Sequence, residues 1–399
     1  MKAGWKTVKL ADVAEMRPPK SEAKLKGLKP TDEVGFLPME DLTQFQKHAK
    51  ALKTRTMSEV SNSYTYFANG DVLMAKISPC FQNGKMGIAT GLPSGVGYGS
   101  SEYFVFRPSK ELSAEWLFYY LQDPAFRRNA TGKFSGNVGQ QRLPKELIEE
   151  LEIPLPPLAE QKRIVALLDE AFAGIDEAKA KAEASMDLAL ETLNSFLEIE
   201  FNAENSELSP IGEIFTTMTG TTPPKSEASY YGKDFLFVKP PELRGGLIVE
   251  TEDGLTKEGA AVARIAPRNS ILVSCIGILG KVGWADKPVA FNQQINAILP
   301  REDRAHWKYM LFQMKSPKFR KSLTEASTGT TVYMVNKSKF NQLMVRLPSL
   351  RHQATAAERF AEIDQLQNEL TENQKKRKEA LNSLKASLLT QAFAGELTA

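Results

Sequence analysis

Two glycine–lysine pairs, Gly84-Lys85 and Gly280-Lys281, could each belong to a phosphate-binding loop. In a loop of the Gly-x-x-x-x-Gly-Lys-Ser/Thr type, an upstream glycine lets backbone N–H groups cradle the phosphates, and the following hydroxyl binds magnesium. Neither pair has that upstream glycine or that hydroxyl. The pairs therefore do not predict nucleotide hydrolysis.

The segment 239–242, Lys-Pro-Pro-Glu, shares only its prolines with the Asp/Asn-Pro-Pro-aromatic loop of adenine methyltransferases. That loop needs a carboxylate or amide to hold the amino group and an aromatic ring to stack on the flipped base. The sequence also lacks a Gly-x-Gly-x-x-Gly fingerprint, a Gly-x-Ser-x-Gly elbow and the Pro-Asp dipeptide of a nuclease-type metal site. We therefore expect no catalytic residue in this chain.

The three histidines and two cysteines are too few and too scattered to predict a metal site. His48, His306 and His352 have no metal-ligand spacing, and two cysteines cannot form a disulfide framework. We expect Cys80 and Cys275 to be small buried residues, which suits a reducing compartment. The sequence thus predicts that the chain itself binds no metal and no cofactor.

Nothing in the sequence resembles a secretion signal or a membrane span. The N-terminal residues form no apolar h-region. The longest apolar stretch, 271–279, is far too short to cross a bilayer and predicts a buried strand instead. We expect a cytoplasmic protein that makes no contact with a membrane.

The strongest pattern in the sequence is an internal repeat. Pro-Pro-Lys-Ser-Glu stands at 18–22 and again 205 residues later, at 223–227, and further blocks match in the same order with an offset that falls only to 191. The other matched blocks are 36–42 with 237–243, 70–77 with 269–276, 84–89 with 280–285, 100–108 with 292–300, 124–127 with 317–320, and 155–161 with 347–353. This period indicates a duplicated domain, because solenoid units recur every 20–50 residues or so.

Each copy begins with a globular part that we predict to be α+β. Short apolar runs alternate with Gly, Pro and Asn turns, and one helical stretch surrounds Trp116 in the first copy and Trp307 in the second. Because both tryptophans lie in apolar helical stretches, we expect them in the cores rather than as stacking platforms for bases.

Each globular part is followed by a long helix, over 159–200 and 354–394. The first segment has no proline and one glycine, and the second has neither. In the first, a 4,3,4,3 spacing predicts a coiled-coil seam of Ile164, Leu168, Ala171, Ile175, Ala178, Ala182, Ser185, Ala189, Thr192 and Phe196. In the second, a stripe interrupted by Gln374 and Arg377 comprises Phe360, Ile363, Leu370, Leu381, Leu384 and Leu388.

The predicted organisation is two similar α+β domains separated by two long helices that pair as an antiparallel coiled coil, with a pseudo-two-fold relation between the copies. The predicted boundaries are 1–158 for the first domain, 159–205 for the first spacer helix, 206–350 for the second domain and 351–399 for the second spacer helix. Both globular segments carry net positive charge and the first spacer segment is acidic. A basic domain is compatible with a nucleic-acid partner.

These features resemble the specificity subunit of Type I restriction–modification enzymes. The resemblance is carried by the duplicated unit that closes with Leu-Pro-x-Leu…Gln, by the run 153–165 (IPLPPLAEQKRIV), and by 389–397 (LTQAFAGEL). It covers essentially the whole chain. The second copy departs from the family pattern with Arg351-His352-Gln353, where Ala-Glu-Gln is usual.

The resemblance implies a non-catalytic, sequence-specific DNA-binding subunit. Each globular part would be a target-recognition domain that reads one half of a bipartite site in double-stranded DNA. The helices would dock two methyltransferase subunits that use S-adenosylmethionine, and restriction subunits would bring ATP and Mg²⁺. The alternative is a coiled-coil adaptor whose paired domains bind proteins.

Candidate DNA contacts are basic, amide and hydroxyl side chains on glycine-rich loops, where side chains can reach phosphates and base edges. In the first copy they are Lys76, Gln82, Asn83, Lys85, Lys133, Ser135, Asn137, Gln140 and Gln141. In the second copy they are Arg244, Lys281, Thr330, Thr331, Tyr333, Asn336 and Lys337. Since the copies would read different bases but share backbone contacts, we expect the matching Lys85 and Lys281 to contact phosphates.

Overall fold

A computed structural model describes residues 4–136, 141–202, 207–329 and 331–397. The chain divides into two compact units, Met1–Lys181 with Lys376–Ala399, and Ala182–Lys375. The predicted domain boundaries stay a prediction, because this division cuts through both long helices.

The elements up to the first long helix follow in chain order. They are β1 (Lys6–Lys9), α1 (Leu10–Val13), β2 (Ala14–Met16), α2 (Ser21–Leu25), β3 (Glu33–Leu37), β4 (His48–Lys50), β5 (Lys53–Thr56), α3 (Met57–Val60), β6 (Thr65–Ala68), β7 (Val72–Ala75), β8 (Met86–Thr90), the 3₁₀ turn Pro93–Gly95, β9 (Val96–Gly99), β10 (Tyr103–Pro108), α4 (Ala114–Tyr120), α5 (Pro124–Thr131), α6 (Lys145–Glu149), β11 (Glu152–Leu155) and α7 (Leu158–Asn202).

The second copy repeats this order. Its elements are β12 (Leu208–Pro210), α8 (Ile211–Ile214), β13 (Thr217–Thr219), the 3₁₀ turn Ala228–Tyr230, β14 (Tyr231–Val238), the 3₁₀ turn Pro240–Glu242, β15 (Gly254–Leu255), α9 (Lys257–Val262), β16 (Ile265–Ala266), β17 (Ile271–Ser274), β18 (Val282–Trp284), β19 (Val289–Phe291), β20 (Ile295–Ile298), α10 (Trp307–Lys315), α11 (Pro317–Glu325), α12 (Lys337–Asn341), β21 (Met344–Arg346) and α13 (Leu350–Ala394).

The strand order of the sheets shows the duplication directly. In the first copy the sheets run β1-β11, β2-β10-β7-β8-β4 and β5-β3-β9-β6, and in the second they run β12-β21, β13-β20-β17-β18 and β15-β14-β19-β16. In each copy one pair of the third sheet is parallel, β3 with β9 and β14 with β19. The predicted fold class, two similar α+β domains with two long helices, is confirmed.

The central strands β7 and β17 form where the sequence places an apolar run after a tight turn. Every residue of both strands is buried, as expected for strands covered on both faces. The turn before β7 contains Gly70 at φ +91°, and the matching turn before β17 contains Asn269 at φ +62°. Glycine and asparagine tolerate this left-handed conformation, which explains why a polar turn precedes the strand in both copies.

The two long helices run antiparallel where they pack within each unit. In the first unit, Arg163 donates to the carbonyl of Leu397 (3.0 Å), and the Lys385 ammonium lies 4.5 Å from the ring centre of Phe172. In the second unit, the rings of Phe201 and Phe360 pack with centres 5.8 Å apart. Among the described residues, no helix is both long and apolar enough to span a bilayer.

The predicted seam of α7 is correct in its first half and wrong in its second half. Ile164, Leu168 and Ile175 are buried as expected. Beyond Ala182, the predicted seam residues Ser185, Thr192 and Phe196 are exposed, and the buried positions are Leu193, Leu197 and Phe201. These buried residues follow one another at a spacing of four and pack on the second domain's core together with Phe360 of α13, so this half of the helix turns a different face inward from the predicted seam.

A stripe residue of α13 and one tryptophan also depart from the sequence prediction. Leu384, a predicted stripe residue, is 47% exposed, whereas Leu389, which the stripe did not include, is buried. Trp116 is fully buried in the core, as predicted, whereas Trp307 is only half-buried at the edge of the second core.

A buried glutamine joins each long helix to its own domain. Gln161 accepts from the N–H of Ser113 (2.8 Å) and donates to the carbonyls of Glu111 (2.8 Å) and Pro156 (2.9 Å). At the matching position, Gln353 accepts from the N–H of His306 (2.8 Å) and donates to the carbonyl of Pro348 (2.7 Å). Ser113 and His306 are the N-cap residues of α4 and α10, so each glutamine ties a spacer helix to the start of a domain helix.

We expect Gln161→Ala to lower the free energy of unfolding by about 1–3 kcal/mol, because three main-chain groups would lose a partner that is itself fully buried. Gln353→Ala should lower it by a similar amount. The measurement is urea denaturation followed by circular dichroism. Gln365→Ala, at an exposed position of α13, is the control and should change the free energy of unfolding little. Equal losses at all three positions would contradict a special role for the two buried glutamines.

Candidate nucleic-acid interface

A bridged set of loops lies beyond the end of β7 in the first domain. We call it the first tip: residues 76–79, Glu102, Ser135 and residues 141–142. Main-chain hydrogen bonds hold it together: the N–H of Lys76 donates to Glu102 (2.9 Å) and the N–H of Ser78 donates to Gln141 (2.9 Å). Ser135 and Arg142 exchange both of their main-chain bonds.

The charged side chains of the first tip are fixed in place. The Arg142 guanidinium donates to the Glu102 carboxylate through Nε (3.0 Å) and Nη2 (2.8 Å), and this bond holds the pKa of Glu102 below its usual value. The Lys76 ammonium lies 6.0 Å from the ring centre of Phe104, and burial lowers the pKa of Lys76. Because Nε and Nη2 are held by Glu102, the guanidinium plane keeps one orientation, which reduces the freedom that this side chain would lose on contacting a base edge.

The second domain carries an equivalent set of loops, which we call the second tip: residues 275–278, Gln294, Thr328 and residues 332–334. The same main-chain bonds recur, from Cys275 N–H to Gln294 (2.8 Å) and from Gly277 N–H to Tyr333 (2.9 Å). Thr328 and Met334 exchange both main-chain bonds, as Ser135 and Arg142 do. Each tip also has a glycine with positive φ, Gly136 at +117° and Gly329 at +106°, directly after the bridged Ser or Thr.

These shared bonds align the two tips residue by residue. The aligned pairs are Lys76 with Cys275, Pro79 with Ile278, Glu102 with Gln294, Gln141 with Tyr333, and Arg142 with Met334. The first tip therefore presents charged and amide groups where the second presents mainly apolar ones. In the second tip, Ile278, Val332, Tyr333 and Met334 are 68%, 56%, 51% and 43% exposed.

The predicted DNA contacts fall into several places. Gln82 and Asn83 are exposed on the turn between β7 and β8, and Lys133 and Ser135 are exposed at or beside the first tip. Gln141 is half-buried within that tip. Asn137, Gln140 and Thr330 lie outside the described residues.

The lysines matched between the copies have different surroundings. The Lys85 ammonium donates to the carbonyls of Met39 (2.5 Å) and Glu40 (3.3 Å), so it supports a loop of its own domain. Lys281 and Arg244 line a groove of about 430 Å³ beside α13, and Asp364 also lines it. The phosphate contacts of Lys85 and Lys281 and the DNA contact of Arg244 stay predictions.

The remaining predicted contacts lie in or next to the second tip. Thr331 and Lys337 are exposed, and Tyr333 belongs to the tip itself. Asn336 is the N-cap of α12, where its side chain accepts from the N–H of Lys339 (2.9 Å). Asn336 therefore has a structural role that its sequence position did not indicate.

Sequence reasoning missed five tip residues on which the comparison of the tips depends: Glu102, Arg142, Ile278, Val332 and Met334. Arg142 directly follows two predicted contacts, but its fixed position depends on Glu102, 40 residues earlier in the chain. An alignment of the copies extended through the loops would have paired Arg142 with Met334. Across the described ranges, no cluster of three or more His, Cys, Asp or Glu side chains could hold a metal ion.

Comparison with known proteins gives consistent results across the chain. A family model described as the Type I restriction modification DNA specificity domain matches residues 2–184 and again residues 203–380. The specificity subunit of the Type I restriction enzyme EcoEI from Escherichia coli is 31% identical over 205 residues, which cover 51% of this chain and 34% of that protein. The putative MjaX specificity subunit from Methanocaldococcus jannaschii is 24% identical over 353 residues, 82% of this chain and 78% of that protein.

The chain spans about a third of the length of the first curated relatives that it matches. Solved structures support the fold. A chain from a study of complex assembly and conformational transition in a type I R-M system superimposes with a TM-score of 0.83 at 18% identity, covering 100% of this chain and 99% of that one. The HsdS subunit from Thermoanaerobacter tengcongensis gives a TM-score of 0.61 at 18% identity, covering 100% and 98%.

We expect Cys275 to resist alkylation in the folded protein, because it is 2% exposed and burial raises the pKa of its thiol to about 12. Cys80 is half-buried at the first tip and serves as the internal control. Mass spectrometry after iodoacetamide treatment at pH 8 should find label on Cys80 alone, and on both residues in urea. Label on Cys275 in the folded chain would contradict the packing of the second tip.

Proposed function

Because the chain belongs to the family of Type I restriction–modification DNA specificity domains, we propose that it is the sequence-reading subunit of a Type I restriction–modification complex. Each domain reads one half of a bipartite target in double-stranded DNA. The chain itself is non-catalytic: methyltransferase subunits bring S-adenosylmethionine, and restriction subunits bring ATP and Mg²⁺. The complex acts in the cytoplasm.

The observation that carries this proposal is the pair of tips. Two domains share one main-chain framework, yet aligned exposed positions differ in chemistry, as Arg142 and Met334 do. Two readers of different short sequences need this arrangement, because base readout is done by side chains on a scaffold held by common contacts.

Joining two readers in one chain raises specificity in a simple physical way. One small domain discriminates only a few base pairs, at about 1–3 kcal/mol for each. Two domains in one chain add their discrimination when both half-sites are present. Phosphate contacts from basic loops add affinity without sequence preference and make binding depend steeply on salt.

The helices provide the docking surface for two methyltransferase subunits. In the second unit, Phe196 and Ile199 are 49% and 72% exposed on α7 and line a groove of about 660 Å³ with Ile363 of α13. Exposed apolar residues in such a groove favour binding of a partner protein, because binding would remove their surface from water. The alternative, an adaptor whose paired domains bind proteins, is not favoured by the family match over residues 2–184 and 203–380.

We expect Arg142→Ala to weaken DNA binding of the complex with methyltransferase subunits by about 1–3 kcal/mol, because it removes a positively charged donor that Glu102 holds in position. Fluorescence anisotropy at constant salt measures the affinity, and mapping of methylated adenines shows which half-site is relaxed. Lys110→Ala, which removes one exposed positive charge from the same domain, is the control. Equal relaxation of both half-sites would contradict one domain reading one half-site.

We expect Ile199→Glu to weaken assembly with the methyltransferase subunits, because a carboxylate would face an apolar contact. Size-exclusion chromatography with light scattering measures the composition of the complex, and circular dichroism checks that the chain is folded. Ala184→Glu puts the same charge at an exposed position of α7 outside the groove and should assemble normally. Unchanged assembly of a folded Ile199→Glu chain would rule out this groove as the docking surface.

A further inference from the structure

The second tip exposes more apolar surface than a loop in water needs. Ile278, Val332, Tyr333 and Met334 are each between 43% and 68% exposed and lie on two segments that are bonded to each other. Their backbone is held by the bonds from Gly277 to Tyr333 and between Thr328 and Met334. An exposed cluster on a fixed backbone marks a contact surface rather than a loose loop.

One exposed lysine lies beside this cluster. Lys337 is exposed at the start of α12, one residue beyond the Asn336 cap and three residues beyond Met334. The other two cations nearby in the sequence are engaged elsewhere: the Lys339 ammonium donates to the carbonyl of Ala326 (3.0 Å), and the buried Arg346 donates to the carbonyl of Phe201 (3.1 Å). An apolar centre next to an exposed ammonium is complementary to a polyanion that offers apolar groups between its phosphates.

In the major groove of DNA, the one apolar group on a base edge is the C5-methyl of thymine. We propose that the second tip reads thymine C5-methyl groups through Ile278, Val332, Tyr333 and Met334. This inference rests on the proposed function and states the chemistry of one half-site. The first tip reads by a different chemistry, because Gln141 and Arg142 stand where Tyr333 and Met334 stand in the second tip.

The first domain supplies an internal control for the chemistry. Arg142 stands where Met334 stands in the second tip, and its guanidinium is fixed by Glu102. The affinity of a tip that reads bases by hydrogen bonds does not change when thymine loses its C5-methyl group, because the tip does not contact that group. The affinity of an apolar tip falls, because it loses a buried contact. The two half-sites of one target should therefore respond differently to the same chemical change.

The test uses the chain assembled with its methyltransferase subunits, on the target found by mapping methylated adenines. Each thymine is replaced singly by deoxyuridine, which removes only the C5-methyl group; the thymine opposite the methylated adenine is left out. Loss of one buried methyl should weaken binding about four-fold at one or more positions of the second half-site. The same replacement in the first half-site should leave the affinity unchanged.

Variants of the tip assign the contact to residues. Met334→Ala and Ile278→Ala should weaken binding to DNA that contains thymine. In these variants, replacing the contacted thymine by deoxyuridine should reduce the affinity little further, because both changes remove the same contact and their effects are not additive. Val249→Ala is the control, because Val249 is 67% exposed in the same unit but lies outside the tip. It should keep the full deoxyuridine effect.

The outcomes separate this inference from the proposed function. A complex that binds no specific DNA overturns both. A complex that binds its target but tolerates deoxyuridine throughout the second half-site overturns the inference and leaves the function standing. If Met334→Ala and Ile278→Ala release a methyltransferase subunit rather than weaken DNA contact, the tip is a protein-binding surface and the inference is wrong.

Discussion

The structure depends on a buried amide at the start of each long helix. Gln161 and Gln353 are 0% and 1% exposed, and each bonds the N-cap N–H of a domain helix together with carbonyls of the segment that leads into the spacer helix. A glutamine side chain can donate and accept at once, so one residue satisfies polar groups from two elements that would otherwise be buried unpaired. Through this residue, the direction of each spacer helix is set by its own domain.

A fixed framework allows the tips to vary. In both copies the tip bonds join main-chain atoms, so they form whatever the side chains are. Lys76 and Cys275 occupy aligned positions, one with its ammonium near an aromatic ring and the other with its thiol in the core. The domain therefore separates the residues that define its shape from those that define its surface chemistry.

Much of the fold could be predicted because its signals are local or repeated. The duplication was visible as matched blocks, and the long helices were visible as segments almost free of proline and glycine. The second half of the α7 seam could not be predicted, because Leu193 and Phe201 pack on a domain whose position is not encoded in the helix spacing. Which face of a helix packs on a globular domain depends on the tertiary structure, not on the helix sequence alone.

The tips were less predictable than the fold for a related reason. Glu102 and Arg142 meet only because a segment after α5 bridges the residues beyond β7, and no periodicity marks that bridge. Residue type alone also did not indicate the intramolecular contacts of two predicted residues: Lys85 bonds carbonyls of its own domain, and Asn336 caps a helix.

The main-chain bridging of the tips has an evolutionary consequence. A substitution at position 142 or 334 by any residue other than proline can leave the backbone bonds of the bridge intact, so its effect on folding is small while its effect on surface chemistry is large. Under the proposed function, mutations that alter the sequence read by a tip are thus shielded from selection against misfolding. A chain that works in this way can acquire new targets one residue at a time.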